Sequence, residues 1–397
     1  MDISVLDDRL LSNLKKIGIS EPTEIQSKTL QTILDKNSKK VLFTSETGSG
    51  KTLAYLLPLL QLISEHGTYD VNPKAIIVVP SVLLAYQIYD ILLELTRGLN
   101  ITFNVSDGIE TGPIVEIAIS TPEKLVTKLE TYNLNYRLNV FENIRYAVFD
   151  DVDALVMPNQ KSYVEKLLKL TRGRIKTIIC SSTISTAGTK SHAAIINKLF
   201  KIHTHIKSQK WHTIPENITT EFIHCQENND KLEKLSEILS KMKDERTLIF
   251  CNKSSTTLEL AEKVKTMVKK CKIDVINKKV NLIDQLEILR SKNKRHIIIA
   301  TDIISRGIDI ANVTTVVHYD FPPNALIYLH RSGRTGKGGL QGRSVALWTD
   351  KEETFYNLLH ENKDRLPELF SMSRGPMKQI KRQRKLDNRE TEQQTDP

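Results

Sequence analysis

Hydrophobic residues follow two alternating patterns along the chain. Runs such as Val41 to Phe43, Ala75 to Val79, Tyr146 to Phe149, Thr247 to Phe250 and Ile297 to Ala300 are apolar almost without interruption. The stretches between them, such as Leu83 to Arg97 and Ser254 to Lys269, carry apolar residues at helical spacing. Uninterrupted apolar runs fit strands covered on both faces, and periodic segments between them fit crossover helices. The predicted fold is α/β, built from doubly wound parallel sheets. Before the first run, Leu6, Leu10, Leu14 and Ile17 predict a helix that stops at Gly18, and Pro22-Thr23 opens a second.

The alternation lapses once, across polar residues 207–217 with Pro215 among them, and then resumes. That places one domain at 1–206, an interdomain linker at 207–217 and a second domain at 218–366. Residues 367–397 are polar, and Arg374 to Lys385 holds six basic residues and no acid. A basic, disordered tail is expected there.

Composition narrows the class. No apolar run approaches the roughly 20 residues a membrane-spanning helix needs. The first residues are acidic early and lack an apolar signal core, so no presequence is expected within the chain. Cys180, Cys225, Cys251 and Cys271 show no paired or zinc-like spacing, which points to reduced thiols in an intracellular protein. Lys and Arg number 57 against 47 Asp and Glu, an excess that favours a polyanionic partner.

Chemistry enters at Thr44 to Thr52, T-S-E-T-G-S-G-K-T, between a predicted strand and a predicted helix. Glycines in such a turn let backbone N–H groups converge on phosphate oxygens; Lys51 reaches the outer phosphates and Thr52 can hold Mg²⁺. A second element, Asp150-Asp151-Val152-Asp153, ends the run Ala147 to Phe149 at the edge where parallel strands meet a ligand. Asp150 is placed to hold Mg²⁺ through water, and Asp151 to orient or deprotonate an attacking water.

With these residues in place, the chain resembles the DEAD-box RNA helicases, ATP-dependent enzymes with two tandem RecA-like domains, in order from about Gly18 to Lys337. Ser45 to Thr52 is similar to that family's A-x-T-G-S-G-K-T, which implies nucleotide contacts from Ser45, Thr47, Gly48, Ser49, Gly50, Lys51 and Thr52. Gly18 to Gln26 resembles its adenine-reading motif, with Gln26 selecting ATP. Ser181-Ser182-Thr183 stands for S-A-T, and with His330 implies coupling between hydrolysis and the RNA site. Pro80, Gly108, Thr121, Pro122, Lys124 and Thr301 fall at RNA-contacting motifs. Thr301 to Asp309 resembles T-D-x-x-x-R-G-I-D, placing Gly307 and Asp309 at the nucleotide. His330 to Lys337 resembles H-R-x-G-R-T-G-R, with Arg331 and Arg334 expected to reach across to the γ-phosphate.

The resemblance implies an ATP-dependent RNA helicase that unwinds short duplexes or remodels ribonucleoprotein by domain closure, using ATP and Mg²⁺ and acting as a monomer. Ribosomal or other ribonucleoprotein components are the expected partners beside RNA. Four departures, at Ser81 to Leu84, Glu123, Asp151 and Ile288, support an alternative: an ATP-gated RNA clamp with little turnover. Asp151 stands where the family has Glu, so slow hydrolysis, raised by Asp151→Glu, is expected.

Overall fold

The computed structural model describes residues 3–65, 73–105, 115–131, 144–170, 175–185, 191–209, 211–242, 245–291, 293, 295–305 and 307–361. The basic tail, Gly108 and Arg306 lie outside the described residues.

The chain opens with helix α1 (Asp8–Lys16), begun where Asp7 accepts the Arg9 N–H. Helix α2 (Glu24–Leu34) starts in a capping box between Thr23 and Gln26. Strands and helices then alternate as β1 (Lys40–Thr44), α3 (Lys51–Ser64), β2 (Ala75–Val78), α4 (Val82–Leu95), β3 (Phe103–Val105), β4 (Ile117–Ser120), α5 (Pro122–Glu130) and β5 (Tyr146–Phe149). The first domain finishes with α6 (Val152–Leu155), α7 (Pro158–Leu170), β6 (Lys176–Ser181), α8 (His192–Phe200) and β7 (Thr204–Lys207). Its seven strands lie in the order β3-β4-β2-β5-β6-β1-β7, and each neighbouring pair is parallel.

Side-chain alternation explains the uninterrupted apolar runs. Phe43, Ile77, Val148 and Cys180 enter one core, with α1 to α4; Leu42, Ile76, Val78, Ala147 and Phe149 enter the other, with α5 to α8. Neither face meets water, so neither can be polar.

Lys207, expected to begin the linker, is instead the last residue of β7 and pairs with Thr44. The connection therefore runs over residues 208–217. The second domain comprises β8 (Ile218–His224), α9 (Asn228–Ser240), β9 (Arg246–Phe250), α10 (Ser254–Met267), β10 (Lys272–Ile276), α11 (Leu282–Arg290), β11 (His296–Ala300), β12 (Val313–His318), α12 (Ala325–Ser332), β13 (Gly342–Trp348) and α13 (Glu353–Glu361). Its six strands are ordered β10-β11-β9-β12-β13-β8, again parallel throughout. Two tandem doubly wound domains of the RecA-like type are present.

The domains meet along α4. Leu83 is buried in the second domain's core among Phe250, Ile288, Ile304 and Ile308. Further along the helix, Gln87 exchanges hydrogen bonds with the Asp309 backbone, and Asp90 receives two from Arg290 at 2.7 and 2.9 Å. Two positions that depart from the family pattern, Leu83 and Ile288, thus share one apolar seam.

Candidate active site at the domain seam

The candidate residues gather at the carboxyl ends of the strands, where an open parallel sheet leaves a crevice. β1 delivers the phosphate loop, β5 delivers Asp150 and Asp151, and β6 delivers Ser181 to Thr183. Pro80 and Thr121 follow the neighbouring strands β2 and β4, with Pro122 opening α5 and Lys124 in its first turn; Thr301 follows β11. The strand order therefore separates the residues expected at the nucleotide, after β1, β5 and β6, from those expected at RNA, after β2 and β4.

In the loop, Gly50 caps α3 in the left-handed region at φ 86°, and a Cβ there would collide with the Gln26 side chain. Only glycine fits both demands. Gln26 donates from Nε2 to the Gly50 carbonyl at 3.1 Å, and its Oε1 accepts the Thr23 N–H at 2.9 Å. Thr23 in turn donates to the Ser49 carbonyl at 2.9 Å. The residue expected to read adenine is thus also a brace for the loop.

Ser45 and Ser49 share a 2.6 Å hydroxyl bond. Lys51 folds back to donate to the Ser45 and Glu46 carbonyls at 3.3 and 2.6 Å. Burial lowers its ammonium pKa, opposed by the Asp151 carboxylate. A phosphate oxygen in place of those carbonyls would favour the charged form further. Thr47 Oγ1 is buried without a hydrogen-bond partner, beside Gly333 of the second domain.

The two carboxylates differ sharply. Asp150 is held by Tyr55 OH at 2.9 Å, Cys180 Sγ at 2.8 Å and the Asp151 N–H at 2.8 Å. Burial raises its pKa against those bonds. Asp151 sits at φ 48°, and its Oδ2 is buried with no hydrogen-bond partner. Burial, then Asp150 and Asp153, push its carboxyl up to about 7. An unpartnered carboxylate poised near neutrality suits a general base.

Behind them Asp153 forms a hub that the sequence did not single out. It accepts from Ser181 Oγ at 2.7 Å and Thr183 Oγ1 at 3.2 Å, and Thr183 meets His330 Nε2 of the second domain at 2.9 Å. All four side chains are fully buried. Ser181, Thr183 and His330, the residues expected to couple the two sites, are therefore brought together across the seam through an acid two residues beyond Asp151.

The second domain supplies Gly307, Asp309, Arg334 and Lys337. Gly307 lies so close to the first domain that a Cβ would stand 2.5 Å from Asp151 Oδ2 and 2.7 Å from Leu84 Cδ2. Arg334 is buried and held by the Ile308 and His330 carbonyls; burial lowers its guanidinium pKa, opposed by Asp151 and Asp309. Lys337 pairs with Asp309, and its Cγ comes 3.7 Å from where a Cβ on Gly48 would be. Burial lowers its ammonium to about 8, against the raising effect of Asp309.

Arg331 is not brought to the phosphate loop. It lies inside α12, fully buried over the Phe250 ring at 5.2 Å. Its fork donates to Asp302 at 2.6 and 2.9 Å, to the Asp320 carbonyl at 2.9 Å and to Asn252 at 2.6 Å. Those contacts commit it to the second domain's interior. Of the cations in H-R-S-G-R-T-G-K, the geometry selects Arg334 and Lys337 to face the loop.

Fold and site together define a two-domain phosphate-loop protein whose site is closed by cations from the second domain. Sequence comparison supplies the family. The profile of DEAD/DEAH box helicases matches residues 23–191, and that of the helicase conserved C-terminal domain matches residues 230–339. The chain belongs to the DEAD-box helicase family. It is 27% identical over 378 residues to the DEAD-box ATP-dependent RNA helicase 39 of Arabidopsis thaliana, a match covering 88% of this chain and 58% of that one. The chain thus spans less than two thirds of that relative. Identity to the DEAD-box ATP-dependent RNA helicase CshC of Bacillus cereus is 29% over 354 residues, 85% of each chain. The fold is shared with Mss116p bound to single-stranded RNA and AMP-PNP, at TM-score 0.79 and 24% identity, covering 91% of this chain and 76% of that one.

Proposed function

We propose that the chain is an ATP-dependent RNA helicase that separates short duplexes or remodels ribonucleoprotein by closing its two domains on nucleotide and RNA. The observation that carries this reading is the meeting of Asp151, unpartnered and buried, with Gly307 and Arg334 across the seam. Neither domain alone holds both the phosphate loop and these groups, so closure assembles the site. Lys51 and the loop amides bind the phosphates, Asp151 takes the proton of the attacking water, and Arg334 with Lys337 offsets charge on the transferring phosphoryl group. Closure is thereby coupled to ATP.

Mg²⁺ fits this arrangement. Asp150, following β5, and Thr52, in the first turn of α3 after the phosphate loop, are oxygen donors of the kind Mg²⁺ takes together with phosphates. Thr52 and Asp150 would hold it, and it would supply charge neutralisation of the phosphates. On the other side, Pro80, Thr121, Pro122, Lys124 and Thr301, with Gly108, would take RNA through phosphates and 2′-OH groups, giving little sequence preference. The partner would be RNA alone or within a ribosomal or other ribonucleoprotein particle, met by a monomer inside the cell.

The apolar seam favours a second reading, an ATP-gated RNA clamp that turns over slowly, because burial of Leu83 in the second domain holds the closed form in place. One experiment separates the two. Purified protein is assayed for ATP hydrolysis with and without saturating RNA, beside Lys51→Ala. RNA-stimulated phosphate release absent from the variant supports the helicase; ATP-dependent RNA retention without release selects the clamp. Equal rates with and without RNA, and no retention, would overturn both.

A further inference from the structure

The connection between the domains is not a free tether. Ser208 anchors it to β1 and the phosphate loop, and His212 anchors it to the segment that follows β6. Ser208 donates from its backbone to the Thr44 carbonyl at 2.9 Å and from its hydroxyl to Glu46 Oε2 at 2.9 Å, inside the phosphate loop. Four residues on, His212 is 2% exposed and accepts the Ile184 N–H at Nε2 over 2.8 Å. Ile184 directly follows Thr183, the residue that meets Asp153 and His330. Between the two anchors, Trp211 packs on His212 with ring centroids 3.7 Å apart, and Lys207 Nζ lies 5.2 Å from the Trp211 ring. His205 of β7 completes the path by meeting Thr44 Oγ1 at 3.1 Å.

Two features mark His212 as held by design of the packing. Its backbone is in the left-handed region at φ 66°, which a non-glycine residue keeps only where its surroundings over-determine it. Burial also lowers its imidazole to about 3. The ring is therefore neutral at any physiological pH, and its Nε2 lone pair stays available to the Ile184 N–H.

We propose that His212 is a positioning residue for the coupled reaction: it pins the Thr183–Ile184 peptide from the linker side, so that the placement of the second domain sets the Thr183–Asp153–His330 contact. Ser208 does the same for the phosphate loop through Glu46. The linker thereby senses both ends of the hydrolytic centre and carries part of the free energy that links nucleotide to RNA. This rests on the reading of the chain as an ATP-coupled RNA binder.

The test measures RNA affinity of the full chain with and without a non-hydrolysable ATP analogue, using a single-stranded RNA probe. The wild-type protein should bind RNA more tightly with the analogue; if it does not, the reading beneath fails. Given that tightening, His212→Ala should reduce it about fivefold or more while RNA affinity without nucleotide stays unchanged. His212→Gln, whose Oε1 can accept the same N–H, should recover most of it. Ser208→Ala, which removes the side-chain bond to Glu46, should lower analogue affinity with a normal melting temperature and keeps the linker contact testable should His212→Ala fold poorly. Wild-type tightening in His212→Ala, an equal loss in His212→Gln, or wild-type analogue affinity in Ser208→Ala would overturn the proposal.

Discussion

At the scale of single residues, the proposed reaction would rest on Asp151 and Lys337. The Asp151 oxygen is buried, unpaired and raised to about 7 by its surroundings, so it can both carry charge and accept a proton. Asp151→Asn keeps the volume and removes the base. Turnover should fall about 100-fold or more while ATP affinity changes little, as read by steady-state hydrolysis beside equilibrium binding. Lys337 gives a different signature. Its ammonium, lowered from its ordinary value to about 8, is charged below that pH and loses its proton as pH rises through it. ATP affinity should therefore be full below about pH 8 and decline above it. Lys337→Arg stays charged and should flatten that alkaline limb; a wild-type pH profile in the variant would refute the assignment. Sequence pattern made the loop H-R-S-G-R-T-G-K legible as a source of cations, but not which of them faces the neighbour. That depends on where α12 ends: Arg331 is still within the helix and turns inward to Asp302, whereas Arg334 and Lys337 lie beyond it.

At the scale of elements, what was legible follows burial. Strands covered on both faces, such as β1, β2 and β5, are continuous apolar runs and stood out. Three of the four edge strands, β3, β7 and β10, are half-exposed, mix polar and apolar types and did not; the fourth, β8, is half-exposed too but was legible over Thr219 to Cys225. The end of β7 in particular carried Lys207 into the sheet from what reads as a polar linker. The loop of Gly307 was legible as a motif but not as a contact. It touches Asp151 and Leu84 only because α4 and the loop after β11 meet at the seam. Gly307→Ala adds a methyl where atoms already stand 2.5 and 2.7 Å away, at φ 62°. The strain, about 1–2 kcal/mol from backbone alone, should lower RNA-stimulated turnover about 10-fold or more with the first domain's nucleotide affinity intact. Unaltered turnover would show that the contact is not needed for catalysis.

For the whole molecule, the seam decides how readily the domains stay together. Leu83 leaves its own domain to be buried in the other, with Asp90 and Arg290 as an exposed ion pair that adds little. Losing a buried Leu side chain costs roughly 2–5 kcal/mol in a packed core. In Leu83→Ala that cost falls on the closed form alone, so the RNA concentration for half-maximal hydrolysis should rise about 10-fold or more, and dyes on the two domains should report less closure at fixed ATP. An unchanged RNA requirement would mean that the seam contributes nothing to closure. The positions involved, Leu83 and Ile288, were visible as departures from a family pattern. That they pack together was not, because nothing in a linear pattern says that α4 and α11 share a cluster.

The contact between Gly307 and Asp151 also imposes an order of events. In the proposed reaction, the Gly307 backbone that stands beside the carboxylate while the domains are together would have to withdraw before spent nucleotide is exchanged. Phosphate appearing in solution would then count openings of the seam.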